Sequence, residues 1–543
     1  MYRKSFAWLL LASLLLLTGC GKGAGEAAPQ EAGTGSSQTV APGEARTEEA
    51  PEPITLDWYV NYSWFVTGWG ENLVSRTITE ETGVTVNFIT PMGNEENKLN
   101  SLIDSDSLPD LITLGWWEPQ LQDIISRGMV YPLNELADRY DPVFYEVTRE
   151  ATRNWYTQSD GNLYGYPNSS YTPEDVEENE NIGSNQTFLV RKDIYEALGE
   201  PDMTTVDGFY DAVVRATELF PETNGYPLIP VGAHEFNEDG NVSFDQYLQN
   251  FLAIPYEQGG VKYDRNSDPE YLRWLKMFRR LAQEGYLAND IFVDQRTQTS
   301  EKISQGRYFC MLYQRTDMAD QEKQLYRDHP EMIYIAVDGP RNENGDDPVL
   351  TVNGVSGWTL TMISKSCKDP ERAIKLMDYL MSEHGQMLTY LGVEGITYDM
   401  VDGKPVLKPD VAEMLNSDRE QYDALYGADD AYWMLQNNAM QLRWQPELQE
   451  PMKQLAEWTY PYATYVGQYD VNIPEDTDLG RSYSATRNLW GKTLPRLLLA
   501  ASDEEFDAVF EQYLKDRDAV GYAALMGEET RQMRENKKKL GLE

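Results

Sequence analysis

The chain has 543 residues, enough for two or three domains rather than one. Its 89 Asp and Glu outnumber 46 Lys and Arg, a formal net charge of -43, which argues against nucleic acid or an anionic membrane face as the partner. The 35 Tyr and 13 Trp, set against only 15 Phe, supply rings with an apolar face and a polar tip, suited to stacking on sugars as well as to packing.

The N-terminus reads as a targeting segment. Arg3 and Lys4 precede an apolar run over 6–17 that is too short to span a bilayer comfortably. Leu17-Thr18-Gly19-Cys20 then resembles the lipobox of a bacterial lipoprotein. On that resemblance residues 1–19 are a signal peptide and Cys20 carries the lipid. Residues 20–53 hold no aromatic side chain, and their Gly, Ala, Glu and Pro content predicts a disordered tether. The remaining cysteines, Cys310 and Cys367, form neither a disulfide framework nor a thiol-rich metal site. Whether the two pair is left open.

The folded body opens with alternating strands and helices. "ITLDWYV" (54–60) alternates as a strand, "GENLVSRTITEETG" is an amphipathic helix stopped at Gly83, and "VTVNFIT" (84–90) is a second strand. A helix around "NKLNSLIDS" leads to a third strand at 110–115. Two such units imply a parallel sheet, and ligands of open α/β sheets sit beyond the carboxyl ends of the strands. Those ends carry "NYSW" (61–64), "PMGN" (91–94) and "WWEP" (116–119).

A second α/β region begins near 185. It has a strand into Arg191, a helix closed by Gly199, a helix after Thr204 and Thr205, and another capped by Asp268-Pro269 and ended by Gly285. "ISQGRYFCMLY" runs from a helix end into a strand, a further strand ends at Ile363, and Asp369-Pro370 opens a helix with Ile374, Met377 and Leu380 on one face. The C-terminal section is helical, with its last ten residues expected to fray.

Catalytic signatures are scarce. His234, His329 and His384 have no metal-ligand spacing, and neither a Gly-x-Ser-x-Gly elbow nor a Walker-type loop occurs. Carboxylate pairs are inevitable in so acidic a chain, so they do not identify a glycosidase. Residues 235–246, "EFNEDGNVSFDQ", echo a calcium loop but place Gln246 where the closing Glu belongs, and a plain polar turn is the better reading. No cofactor and no metal are expected.

Taken together, "SDSLPDLITL", "GNLYGYPNSS…TFLVRKDIYEALG", "DPEYLRWLKMFRRLAQEGYL", "ISQGRYFCML" and "SGWTLTMISKSCKDPERAIKLMDYLMSEHGQ" resemble, in order and spacing, the family 1 extracellular solute-binding proteins. These are lipid-anchored receptors of ABC importers, and "YLGVEGITYDM" resembles the long Gram-positive type. The resemblance implies a two-lobed periplasmic-binding-protein-like α/β fold (type II) with parallel-sheet lobes, a hinge and an interlobe cleft. It implies lobe 1 near 54–167 and 355–400 and lobe 2 near 185–350 and 430–543. It implies a monomeric binding protein, not an enzyme, held on the outer face of the cell membrane, that captures an oligosaccharide and delivers it to permease subunits. The alternatives are a peptide or other non-sugar solute, or a surface-anchored polysaccharide-degrading enzyme.

The cleft residues expected on that basis are Asn61, Tyr62 and Trp64 after the first strand, Trp116, Trp117 and Glu118 after the third, and Tyr313, Gln314 and Arg315 after the "GRYFCM" strand. Trp358, where the chain returns to the first lobe, and the late aromatics Trp433 and Trp444 complete the set. Of the adjacent tryptophans, Trp117 is expected to face ligand and Trp116 to support it.

Overall fold

A computed structural model describes residues 52–445, 447–474 and 477–542. The expected signal peptide, Cys20 and nearly all of the expected tether lie outside the described residues. No helix among the described residues is long and apolar enough to cross a membrane.

Eleven strands matter for the site: β1 (Ile54–Val60), β2 (Val84–Ile89), β3 (Leu111–Gly115), β4 (Tyr166–Pro167), β5 (Gln186–Arg191), β6 (Ile229–Gly232), β7 (Tyr308–Gln314), β8 (Tyr334–Ala336), β9 (Leu350–Val352), β10 (Thr359–Ile363) and β11 (Ala463–Tyr465). The first sheet has the order β2-β1-β3-β10-β4. Strands β1, β2 and β3 run parallel, and β10 runs against β3 with Thr359 opposite Gly115. The second sheet, β8-β5-β7-β6, is mixed rather than parallel, since β5 opposes both β7 and β8 and only β6 and β7 run together. One geometric cause explains both reversals. A strand that arrives from the other lobe enters at the end where the resident strands finish, so β5 and β10 must run against them.

Each sheet is covered on both faces, as its near-continuous apolar strands require. Leu56, Trp58 and Val60 of the first sheet join one core with Ile374, Met377 and Tyr422, while Tyr59, Ile112, Leu114 and Leu360 face another with Leu99 and Ile124. In the second lobe Phe188, Val190 and Leu312 share a core with Trp274, Phe278 and Leu494. The helix Pro269–Gln283 that supplies part of it starts as its sequence predicts, with the Asp268 side chain accepting from the Glu270 N–H at 2.8 Å. Cys310 and Cys367 are both buried and free, one in each of the two main cores.

Packing divides the C-terminal section: Ala431 through Leu435 belong to the first sheet's core and Trp444 packs with Leu391 and Tyr398, whereas Leu455 packs under the second sheet. The C-terminus does not fray as expected: a helix spans Tyr522–Lys539, where Asn536 donates to the Asp470 carbonyl at 2.6 Å, Lys537 pairs with Glu257 at 2.6 Å and Lys539 reaches the Trp155 carbonyl at 3.3 Å. Composition alone showed a charged tail; the partners of those charges are distant in sequence.

Candidate functional site

The chain crosses between the sheets along 168–185, along 353–358 and again after 436. The crossings are tied together: the Tyr171 N–H donates to the Gly354 carbonyl at 3.1 Å, Ser184 Oγ donates to the Thr351 carbonyl at 2.7 Å, and β9 pairs in parallel with β11. Gly357 sits in the return crossing at φ +69°, where an added Cβ would stand 2.1 Å from the Asn168 carbonyl oxygen. Only glycine fits there, and this close approach brings the two crossings side by side at Trp358.

At the carboxyl end of the first sheet four rings from three separate segments meet. Trp358 lies 4.5 Å from Trp433 and 5.4 Å from Tyr62, and Trp64 stacks on Trp358 at 6.0 Å and on Trp433 at 5.6 Å, measured between ring centroids. Trp433 is only 5 % exposed, whereas Trp64 is 47 % exposed. Tyr62 has an enclosed hydroxyl with no hydrogen-bond partner among the described residues. A wide aromatic surface is thus anchored from below and open on one side, an arrangement that can stack against the apolar face of a ring-shaped ligand.

Beside it, polar groups join the loops after β1 and β3. Tyr59 donates to Asn61 Oδ1 at 2.7 Å, Asn61 donates to Glu118 Oε2 at 2.5 Å, and the Gly115 N–H donates to Glu118 Oε1 at 2.8 Å. Burial pushes the Glu118 carboxyl up to about 7; the donors from Gly115 and Asn61 oppose that rise, and the charge of Glu95 adds to it. Trp117 folds back over Gly115, where an added Cβ would lie 2.8 Å from the indole, yet remains 45 % exposed. Trp116 is half-buried, meets Trp117 edge-on at 6.0 Å and donates its N–H to the Trp358 carbonyl at 3.4 Å.

The second lobe contributes the ends of β6 and β7. Tyr313 is fully buried and stacks on His234 at 4.0 Å, so it serves as a floor rather than an open contact. Gln314 accepts from the Tyr247 hydroxyl at 3.0 Å and donates to Thr316 and Asp317 at 2.9 and 3.1 Å, and Arg296 pairs with Asp317 at 3.0 Å. Arg315 Nε donates to the Ser184 carbonyl at 2.8 Å, which plants this guanidinium where β7 meets the first crossing.

Of the expected residues, Tyr62, Trp64, Trp358 and Trp433 come together, Asn61 and Glu118 are bonded to one another, and Trp116 and Trp117 adjoin them. Trp444 does not join; Leu391 and Tyr398 cover it. Glu95, Tyr171 and His234 were missed. Glu95 follows the "PMGN" loop by one residue and accepts from the Ser63 N–H at 3.0 Å, so reading that loop one step further would have found it. His234 follows the four-residue strand β6, whose "IPVG" carries little strand signal.

The loop that echoes a calcium site spends its side chains on protein partners. Asp239 pairs with Arg487, and Asp245 accepts from the Asn241 N–H, the Tyr271 hydroxyl and the Trp490 indole at 2.8, 2.9 and 2.7 Å. Among the described residues no group of three or more His, Cys, Asp or Glu side chains could hold a metal ion.

Two α/β lobes joined by several crossings, with aromatic and polar side chains gathered where the strands end, make a two-lobed solute-binding protein. The chain belongs to the bacterial extracellular solute-binding protein family, whose model matches residues 75–410, more than half of its length. It is 22 % identical over 364 residues to the polygalacturonan/rhamnogalacturonan-binding protein YtcQ of Bacillus subtilis, covering 65 % of this chain and 68 % of that one. It is 26 % identical over 239 residues to the fructooligosaccharide ABC transporter substrate-binding protein FusA of Streptococcus pneumoniae, covering 41 % and 42 %. The lipoprotein LipO of Bacillus subtilis shares 22 % over 232 residues, 40 % of this chain and 44 % of that one. Among solved structures, the alginate-binding protein AlgQ2 superimposes with a TM-score of 0.65 at 18 % identity over 89 % of this chain and 98 % of that one. FusA in complex with kestose superimposes with 0.64 at 15 % over 89 % and 100 %. These likenesses establish the fold, and the family and its relatives are binding proteins.

Proposed function

We propose that this protein captures an oligosaccharide between its lobes and hands it to an ABC permease while held on the outer face of the cell membrane by a lipid on Cys20. One observation carries the reading: Tyr62, Trp64, Trp358 and Trp433, drawn from separate segments, build a single aromatic surface at the ends of the first sheet's strands. Packing alone does not require Trp64 to remain 47 % exposed above that surface. Flanking groups, Asn61 and Glu118 on one side and Gln314 and Arg315 on the other, supply hydrogen bonds to ligand hydroxyls. Contacts to both lobes then favour the closed form, because a ligand shifts a conformational equilibrium only by its differential affinity for the two states. The names of the relatives, which cite polygalacturonan, rhamnogalacturonan and fructooligosaccharide, support the sugar class, and the LipO likeness supports the anchor.

The test is a thermal-shift and calorimetric screen against a broad glycan panel. Saturating ligand at 100 times its Kd stabilises a protein by about 2.7 kcal/mol, a rise in Tm that is easily read. The glycan is expected to be recovered unchanged. No response to any glycan overturns the sugar reading, and new reducing ends overturn the binding-only reading.

A further inference from the structure

We infer that the ligand carries a carboxylate, so that the substrate class is a uronate-containing oligosaccharide, and that Arg315 is the residue that recognises it. The inference rests on the reading of the cleft as a glycan site.

Arg315 has an incompletely bonded guanidinium. Its Nε is bonded to the Ser184 carbonyl, but neither Nη1 nor Nη2 has a hydrogen-bond or carboxylate partner among the described residues. The neighbouring guanidinium on this lobe, Arg296, is neutralised by Asp317 at 3.0 Å. Among the described residues the ionisable groups acting on Arg315 are two phenols, Tyr460 and Tyr171, and no acid. Burial pushes its guanidinium below the ordinary arginine value. An arginine held among protein groups without a counter-charge is costly, and a chain with 89 acids had ample means to supply one.

The remaining fork is also the right shape. With Nε already anchored, Nη1 and Nη2 present two donors in the plane that a carboxylate accepts in bidentate fashion, whereas a sugar hydroxyl uses one. The placement suits a chain-like glycan. Tyr171, which adjoins Arg315, lies three residues along the crossing from Asn168, and Asn168 donates to the Trp433 carbonyl at 3.0 Å and accepts from the Thr359 N–H at 2.7 Å. The first crossing thus links the guanidinium to the aromatic surface, so that the two can engage different units of one oligosaccharide.

Charge completes the case. With a net charge of -43 the protein as a whole repels anions, so an anionic ligand needs a local cation free of internal pairing. A neutral glycan would have no such need.

The experiment compares trisaccharides of galacturonate, mannuronate and guluronate with their methyl esters, which keep the ring and lose the charge, and adds neutral fructooligosaccharides. The full-length protein and its Arg315→Gln and Arg315→Lys variants are titrated by calorimetry, with Tm and circular dichroism confirming that the variants fold. At least one free acid is expected to bind roughly tenfold or more tightly than its ester, a preference weakened by salt. In Arg315→Gln the ratio of acid to ester affinity falls to about one, the acid losing more than the ester, and in Arg315→Lys part of the preference survives. The inference is overturned if acids and esters bind alike, if Arg315→Gln keeps the preference, or if only neutral glycans bind. Silence towards every glycan would instead remove the underlying reading of the cleft, and the inference with it.

Discussion

The indole of Trp64 lies 6° from parallel with that of Trp358, their centroids 6.0 Å apart, although one ring comes from the loop after β1 and the other from the return crossing. Trp433 touches both from beneath. This arrangement separates a binding ring from a supporting one. Trp64→Ala is expected to weaken glycan binding roughly tenfold, about 1.4 kcal/mol, with little change in Tm. Trp433→Ala removes a buried indole and should cost about 3–5 kcal/mol of stability. Calorimetric titration and urea unfolding of the two variants distinguish the roles; equal losses of stability would refute the division.

Trp117 offers a second test, because its ring rests on a residue with no side chain. A Cβ at Gly115 would stand 2.8 Å from the indole, so Gly115→Ala should push Trp117 off its seat. Binding is expected to fall in Gly115→Ala and in Trp117→Ala alike, while Trp116→Ala, which removes the half-buried partner, should lower Tm more than Trp117→Ala does. Stopped-flow tryptophan fluorescence and melting curves read both effects. An unchanged affinity in Trp117→Ala would assign that ring to packing.

How much of this was legible in advance follows from the range over which each signal acts. Strand β1, the Asp268 cap and the apolar face of Ile374, Met377 and Leu380 are local patterns, and the structure repeats them. The loops after β1 and β3 were legible because the rule about strand ends needs only the order of strands. The direction of β5 was not, since it depends on which lobe the chain arrives from. Trp433 and Trp444 lie in one composition-rich stretch and could not be separated by pattern, yet the first joins the aromatic surface and the second fills a satellite core. Arg315 was legible as a position, but its lack of a counter-charge among the described residues can be read only in three dimensions.

The pH response of the site should centre on Glu118. Its carboxyl is raised from 4.5 to about 7 in the folded protein, chiefly by burial. A group raised in this way contributes stability that is complete below its ordinary value and is lost as pH rises through the folded one. Between pH 4.5 and 7 the wild type should therefore lose stability relative to Glu118→Gln, whose neutral amide has no such slope. Carbon-13 NMR of the glutamate side chains provides the direct check, with a titration near 4.5 counting against the effect.

A sharper pH effect on stability is expected from Asp378, which lies outside the cluster of binding residues. It is 2 % exposed on the helix Pro370–Met381, and neither carboxyl oxygen has a hydrogen-bond partner among the described residues. Burial raises it from 3.8 to about 8, with the negative charge of Asp141 adding to the rise. The neutral acid is thus the form the core accepts, and ionising it sets an unpaired charge among apolar side chains. The stability it allows is complete below pH 3.8 and is lost as pH climbs through 8; each unit of displacement corresponds to about 1.4 kcal/mol. Asp378→Asn keeps the shape and cannot ionise, so the difference in Tm between this variant and the wild type should widen in the variant's favour from pH 5 to pH 8. Parallel melting curves across that range would mean that the carboxylate finds water or a partner when charged, and the account of this helix would have to change.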